Sequence, residues 1–231
     1  MINAILFDKD GTLFDFYRTW GPVTEDAALL VAGGDAAKAR YVLEKSGKDM
    51  VTGKYVPSSP IASGSNRQIV ETWCAILGIA EVEPVYEQVH EMFLARQKQV
   101  ATPVLELEPF FARLKGRGLR LGVATMDSEE SARAAMRIFK AERHLDFICG
   151  FDTGHGMKPS GGMVEAFARL TATPPANVAV VGDSPHDIHM AHAGKAGRAI
   201  GVLTGVSPRE ALLEAGAHEV IDSIAELERV I

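Results

Sequence analysis

The amino-acid sequence predicts an α/β fold: a parallel sheet with helices on both faces, interrupted after its first strand by an all-helical segment. Three observations carry this expectation. Short β-type apolar runs alternate with longer stretches of helical periodicity, the pattern of strand, crossover helix and parallel strand. The stretch from Phe16 to Val104 holds helical periodicity without a convincing buried strand. The 231 residues suit a large α/β domain, or a core with a smaller insert.

The β-type runs are, in order, Ile2 to Phe7, Leu119 to Ala124, Phe147 to Cys149, Val178 to Val181, Ala199 to Val202 and Val220 to Ile221. Between and after them lie helix-like stretches at Ser128 to Ala141, Gly162 to Thr171, Pro185 to Ala193, Pro208 to Ala215 and Ser223 to Val230. Phe110, Phe111 and Leu114 have the spacing of a helix core. Inside the insert, helices are expected at Val23 to Ala32, Ala36 to Ser46, Arg67 to Leu77 and Pro84 to Gln99, with Gly53 to Ser65 a loop rich in Gly, Pro and Ser. The expected division is a core of residues 1–15 and 105–231 and a helical domain of residues 16–104. An insert that leaves after the first strand sits near the carboxyl ends of the sheet, where open α/β sheets bind ligands.

With 24 basic against 30 acidic side chains, the net charge of −6 argues against nucleic acid or an anionic membrane surface as the main partner. Neither a membrane-spanning run nor a signal peptide is legible, so a soluble, cytoplasmic protein is expected. The two cysteines, Cys74 and Cys149, form no CxxC and read as small core hydrophobes. Monomer and homodimer both remain open.

The chemistry concentrates where apolar runs end. The first runs into Asp8-Lys9-Asp10-Gly11-Thr12-Leu13, and strand alternation would aim Asp8 and Asp10 at one small volume; Asp-Gly also fits a simple turn. The second ends in Thr125-Met126-Asp127 at a helix start, a place where unsatisfied N–H groups attract phosphate; Asp127 with Glu130 also fits a capping box. Lys158 stands in the glycine-rich loop Gly156-Met157-Lys158-Pro159. The run Val178 to Val181 leads into Gly182-Asp183-Ser184-Pro185-His186-Asp187, in which Ser184 fits an N-cap, Pro185 the first helical position and Asp187 a capping-box acid. If these ends converge, Asp8, Asp10, Asp183 and Asp187 face one lysine and repel one another unless a hard divalent cation such as Mg²⁺ sits among their oxygens.

In this order and spacing, Asp8 to Leu13, Thr125, Lys158-Pro159 and Gly182-Asp183-Ser184 with Asp187 resemble the four motifs of the haloacid dehalogenase superfamily. Gly201 to Val206, Ala215-Gly216-Ala217 and Val220 to Ser223 resemble its phosphoglycolate phosphatase-like branch, and the helical insert resembles that branch's cap domain. The resemblance implies a Rossmann-like core and a Mg²⁺-dependent phosphatase, a phosphoric monoester hydrolase acting through an aspartyl-phosphate on a small phosphorylated metabolite such as phosphoglycolate or a sugar phosphate. It implies Asp8 as nucleophile and Asp10 as acid and base, with Thr125, the Met126 amide and Lys158 holding the phosphoryl oxygens. It further implies Asp8, the Asp10 carbonyl and Asp183 as metal ligands, Asp187 behind them, and Thr12 shaping the loop.

An acid at position 10 is the mark of phosphate-ester chemistry within that superfamily. Met126 stands where relatives often carry Asn or Ser, and Ser160-Gly161-Gly162 where they carry a Pro-Asp or Pro-Glu pair. Alternatives are a phosphosugar mutase of the β-phosphoglucomutase type and a non-catalytic regulatory protein on the same fold. Candidates for reading the leaving group are Arg18, Trp20, Lys54, Tyr55 and Arg67. His186, His189 and His192 read as solvated side chains rather than a zinc site, and Gly154 to Gly162 lacks dinucleotide-loop spacing.

Overall fold

The structure, a computed structural model, describes residues 1–56 and 59–231. Six strands form one sheet: β1 (Ala4–Phe7), β2 (Arg120–Ala124), β3 (Phe147–Cys149), β4 (Val178–Gly182), β5 (Arg198–Val202) and β6 (Glu219–Ile221). Every pairing is parallel and the order is β3-β2-β1-β4-β5-β6. The chain therefore builds outward from β1 on one side, then returns to lay β4 against its other side. The carboxyl ends of β1 and β4 flank the point where strand order reverses, which opens a crevice there. Register pairs Phe7 with both Val123 and Val181, so the residues after β1 emerge between the ends of β2 and β4.

Two compact units are present, Met1–Phe16 with Thr102–Ile231, and Tyr17–Ala101. The second is helical: α1 (Phe16–Val31, which begins on the last residue of the first unit), α2 (Ala36–Lys45), α3 (Pro60–Ser63), α4 (Asn66–Leu77) and α5 (Val82–Val100). Its core gathers Val42, Val70, Trp73 and Val89, and the Trp73 indole N–H donates to Ser46 Oγ at 3.0 Å. Helix α1 begins seven residues before the expected start and runs through Gly21-Pro22. Thr19, Val23 and Ala27 lie buried one turn apart along it, so packing overrides the break those two residues would impose alone. The expected loop at 53–65 contains α3, whose first turn is closed by Ser59 Oγ accepting from Ala62 N–H at 3.3 Å; positions 57 and 58 lie outside the described residues.

In the first unit, α6 (Leu107–Gly116), α7 (Glu129–Ile138), α8 (Gly162–Leu170), α9 (Pro185–Ala193) and α10 (Arg209–Glu214) accompany the sheet. Adjacent strand residues point to opposite faces. Phe7 meets Phe110 and Phe111 of α6 at 6.1 and 5.6 Å between ring centroids, whereas Leu6 packs with Phe167 of α8 and Ile188 of α9. Gly122 of β2 admits α8 closely, since a Cβ there would lie 2.8 Å from the Phe167 ring. Both faces are thus covered, which is why the strands read as continuous apolar runs.

Three helices stop at a non-glycine residue in the left-handed region: Lys140 (φ 55°) after α7, Ala172 (φ 51°) after α8 and Lys195 (φ 57°) after α9. Each is followed by an amide that closes back on the helix, Ala141 to Met136, Thr173 to Ala168 and Ala196 to Ala191, in the Schellman pattern. Glycine usually marks that position. Its absence explains why the expected helix from Ser128 ran on to Ala141. The last expected helix is instead a 3₁₀ segment, Ile224–Arg229. Cys74 and Cys149 are buried and unbridged, and among the described residues no helix is long and apolar enough to cross a membrane.

Candidate active site

The site is assembled by four loops at the carboxyl edge of the sheet. Asp8 extends β1 by one residue, its amide donating to Val181 O at 2.8 Å. The chain then turns back on Gly11 (φ 87°), with the Leu13 and Phe14 amides both donating to Lys9 O. Thr204, after β5, locks this turn by donating from Oγ1 to Gly11 O at 2.6 Å.

Asp183 follows β4 and sits between two glycines. A Cβ on Gly11 would lie 2.5 Å from its Oδ2, and one on Gly205 would lie 1.8 Å away. The same oxygen accepts from Val206 N–H at 2.8 Å. Next along the chain, Asp187 closes the start of α9 in the manner of a capping box, its Oδ2 accepting from Ser184 Oγ at 2.7 Å and from Ser184 N at 3.1 Å. Its other oxygen serves the site.

Lys158 supplies the counter-charge. Its ammonium donates to Asp8 Oδ1 at 2.5 Å and to Asp187 Oδ1 at 2.6 Å, and its side chain is only 2% exposed. A solvated loop lysine would do neither. Ligand oxygens of Asp8, Asp183 and Asp187 lie within 4.8 Å of one another, all buried. Three carboxylates therefore share one ammonium. Burial pushes the Asp8 carboxyl up to about 7; Lys158 pulls it down, while Asp187 and Asp10 push it up. Burial also raises Asp183 well above the usual range, with Asp8 and Asp187 adding to the effect. Burial alone would lower Lys158, yet Asp187 and Asp8 outweigh it and hold the ammonium above the ordinary lysine range.

Asp8 Oδ2 is buried and has no hydrogen-bond partner among the described residues. Clustered hard oxygens in excess over cations form a donor set that fits a divalent ion. Asp187 has both oxygens engaged by Lys158 and Ser184, so Asp8 and Asp183 have the greater freedom to ligate.

Asp10 does not join this cluster. It lies beyond the last residue of β1, in the turn, where strand alternation no longer governs direction. Its Oδ2 is 2.7 Å from the Lys9 ammonium, which also reaches Asp127 Oδ2 at 3.1 Å. Asp127 in turn accepts from Ser128 N at 2.8 Å and from Ser131 Oγ at 2.7 Å. The capping box expected from Asp127 and Glu130 is absent: Ser128 is the cap of α7, accepting from Ser131 N–H, and this frees Asp127 for Lys9. Thr125, at the end of β2, is buried, and its Oγ1 accepts from Asp127 N–H at 3.1 Å, leaving the hydroxyl proton available to donate. Met126 is half-buried, and the Thr12 hydroxyl is buried without a partner among the described residues.

Sequence reasoning missed the roles of Lys9 and Asp127, and of Thr204, Gly205 and Val206. The signal for the last three was their glycine beside a strand end; for Lys9 it was a lysine flanked by two acids at a strand end, where burial is the alternative to repulsion.

In the helical unit, Arg18 and Lys54 are exposed, and Trp20 is half-buried with its ring edge-to-face on Phe93 at 5.5 Å. Tyr55 is buried and stacks on Tyr17 at 6.0 Å. Arg67 is held by Glu83 at 2.8 Å and lies 4.4 Å above the Tyr86 ring. His186, His189 and His192 join no metal-spaced group among the described residues.

Residues 2–195 match the family described as haloacid dehalogenase-like hydrolase. PpaX of Caldanaerobacter subterraneus subsp. tengcongensis, provisionally named a pyrophosphatase, is 24% identical over 230 residues, covering 100% of this chain and 94% of its own. A Thermotoga maritima structure provisionally named β-phosphoglucomutase has a TM-score of 0.73 at 21% identity, covering 100% of both chains. CbbY from Rhodobacter sphaeroides, solved in complex with phosphate, has a TM-score of 0.68 at 23% identity, covering 98% of this chain and 96% of that one. At these identities the two structures speak to the fold. The family match, with four motif loops meeting at the switch point of the sheet, makes this chain a member of the haloacid dehalogenase-like hydrolases.

Proposed function

We propose that this chain is a Mg²⁺-dependent phosphatase that hydrolyses a small phosphorylated metabolite, of the phosphoglycolate or sugar-phosphate type, through an aspartyl-phosphate on Asp8. One observation carries the reading: the Asp8 carboxylate is buried, with Oδ1 held by Lys158 and Oδ2 left without a partner among the described residues. That is how a carboxylate nucleophile is presented, one oxygen fixed and the other available to phosphorus. The ester P–O bond breaks as the Asp8 Oδ2–P bond forms, and the departing oxygen takes a proton from Asp10. Water then attacks phosphorus, returns a proton to Asp10 and releases Asp8.

Lys158 and the Thr125 hydroxyl, with the Met126 amide, hold the phosphoryl oxygens as charge develops on them. Asp8, the Asp10 backbone carbonyl and Asp183 are the residues to hold Mg²⁺, with Asp187 fixing Lys158 behind them and Thr12 shaping the loop. When bound, the ion supplies neutralising charge for the carboxylates and the phosphoryl group. Residues of the helical unit, among them Arg18, Trp20, Lys54, Tyr55 and Arg67, select the leaving group.

The test is phosphate release from a panel that includes phosphoglycolate and hexose 1-phosphates, with Mg²⁺ and with EDTA, beside Asp8→Asn. Release that requires both the metal and Asp8 supports the reading. Release that survives in Asp8→Asn overturns it. Silence across the panel, with isomerisation of a hexose 1-phosphate on adding a bisphosphate, replaces the phosphatase with a phosphosugar mutase.

A further inference from the structure

Lys9 stands between the two acids proposed as nucleophile and as proton carrier, yet that mechanism gives it nothing to do. It is 1% exposed, so its ammonium has left water for a site where the Asp10 and Asp127 carboxylates compensate it. Its partners come from two different strand ends. Asp10 Oδ2, at 2.7 Å, belongs to the turn after β1, and Asp127 Oδ2, at 3.1 Å, to the loop after β2. Asp127 is itself held by the Ser128 amide and the Ser131 hydroxyl at the start of α7, so this end of the bridge is anchored to a helix.

The other end rests on Lys9. Among the described residues Lys9 is the sole side-chain partner of Asp10, whose Oδ1 is buried with no hydrogen bond. Asp10 lies in the turn beyond β1, where an isolated bridge to Phe14 takes the place of the sheet pairing. One of its oxygens is pinned and the other held open.

We propose that Lys9 is a positioning residue: by tying Asp10 Oδ2 to Asp127 it holds Asp10 Oδ1 ready to pass a proton to the leaving group and to take one from water. This rests on the reading of Asp10 as acid and base. It adds a residue and a linkage between the loops after β1 and β2 through which Asp10 is aimed. Replacing the ammonium by an apolar group leaves Asp10 free to rotate among its rotamers, and proton transfer needs hydrogen-bond reach to the reacting oxygen.

A lysine that merely stabilised the fold would affect all substrates alike. An aimer of the acid affects only substrates that need an acid. The experiment compares wild type, Lys9→Met and Asp10→Asn with Mg²⁺ on two esters: an alkyl phosphate, whose leaving oxygen must be protonated, and 2,4-dinitrophenyl phosphate, whose leaving group departs unaided. Lys9→Met should lower kcat/KM for the alkyl ester by about 10- to 100-fold and leave that for the aryl ester within about threefold. With the aryl ester it should release a stoichiometric burst of phenolate followed by a slowed steady state, because hydrolysis of the aspartyl-phosphate still calls on Asp10.

Equal losses on both esters, or no loss on either, overturn the proposal while Asp10→Asn still discriminates between them. If Asp10→Asn itself fails to discriminate, the reading of Asp10 falls and the role of Lys9 with it. Should Lys9→Met not fold, Asp127→Asn keeps the lysine and removes only its anchor. It should show the same selectivity for the alkyl ester to a smaller degree, and equal or absent losses there overturn the proposal in the same way.

Discussion

The two ends of the sheet handle charge in opposite ways. At the amino end, Asp146 before β3 takes Lys115 at 2.8 Å and Arg120 at 3.1 Å, and Arg198 of β5 meets Glu219 of β6 at 3.2 Å. These side chains are 18% to 55% exposed, and cations match or outnumber anions. At the carboxyl end, Asp8, Asp187 and Lys158 are 9% exposed or less, and carboxylates outnumber ammoniums. Water screens the first set, so each pair contributes about 0–1 kcal/mol. The second set is desolvated and self-repelling, an arrangement that selection for stability alone would discard. The contrast locates the candidate site, because a buried excess of carboxylate oxygens is a donor set that fits a divalent cation.

The contrast breaks most sharply at Asp8. Asp8→Asn should reduce phosphate release by about 10³-fold or more while circular dichroism stays unchanged; activity near wild type would show that the buried excess serves something other than nucleophilic attack. Next comes Asp183→Asn. With EDTA present this variant should melt higher than wild type, since one desolvated carboxylate is gone, yet its half-saturating Mg²⁺ concentration should rise at least about tenfold. A lower melting temperature together with unchanged metal demand would make Asp183 a structural residue.

The pH dependence of stability carries a smaller effect with a definite sign. Burial first, then the neighbouring carboxylates, raise Asp8 to about 7 and Asp183 well above its usual range, so the metal-free folded chain binds protons that the unfolded chain releases. The stabilising contribution of that protonation is complete below about pH 4, where the unfolded carboxyls are also protonated, and is lost as pH rises through about 7. Melting in EDTA should therefore decline between pH 5 and 8 through these two groups, and Asp8→Asn should flatten the decline. Mg²⁺ competes with the same protons, so the gain in Tm on adding it should grow across that window. A gain independent of pH would detach the metal from Asp8 and Asp183.

The smallest effect belongs to the amino end. Arg198→Ala should shift stability by less than about 1 kcal/mol and leave kcat untouched. A large loss of turnover there would erase the distinction between the two ends.

Much of the site is legible in one dimension because parallel strands deliver their chemistry at their carboxyl ends. Asp8, Thr125 and Asp183 each follow an apolar run, and the turn chemistry beside them, Gly11 and the Ser184-Pro185 helix start, names the same places. Lys158 is legible only by its spacing from the others, since nothing local distinguishes it from a surface lysine. The direction of Asp10 was not legible, because the strand gives way to the turn after Asp8. The same holds for helix ends at Lys140, Ala172 and Lys195, where the packed helix imposes a backbone conformation that their side chains do not favour.

The amino-acid sequence by itself determined the alternation of strands and helices, the helical insert and the residue types at the strand ends, because periodicity and turn chemistry are local properties of the chain. Only the tertiary structure decided which charges meet. Lys158 reaching Asp8 and Asp187, Lys9 reaching Asp127, and Asp183 slotting between Gly11 and Gly205 are all contacts between segments far apart in the chain. They exist because β1 lies between β2 and β4 in the sheet, and the energy of a charge depends on what surrounds it rather than on its neighbours in sequence.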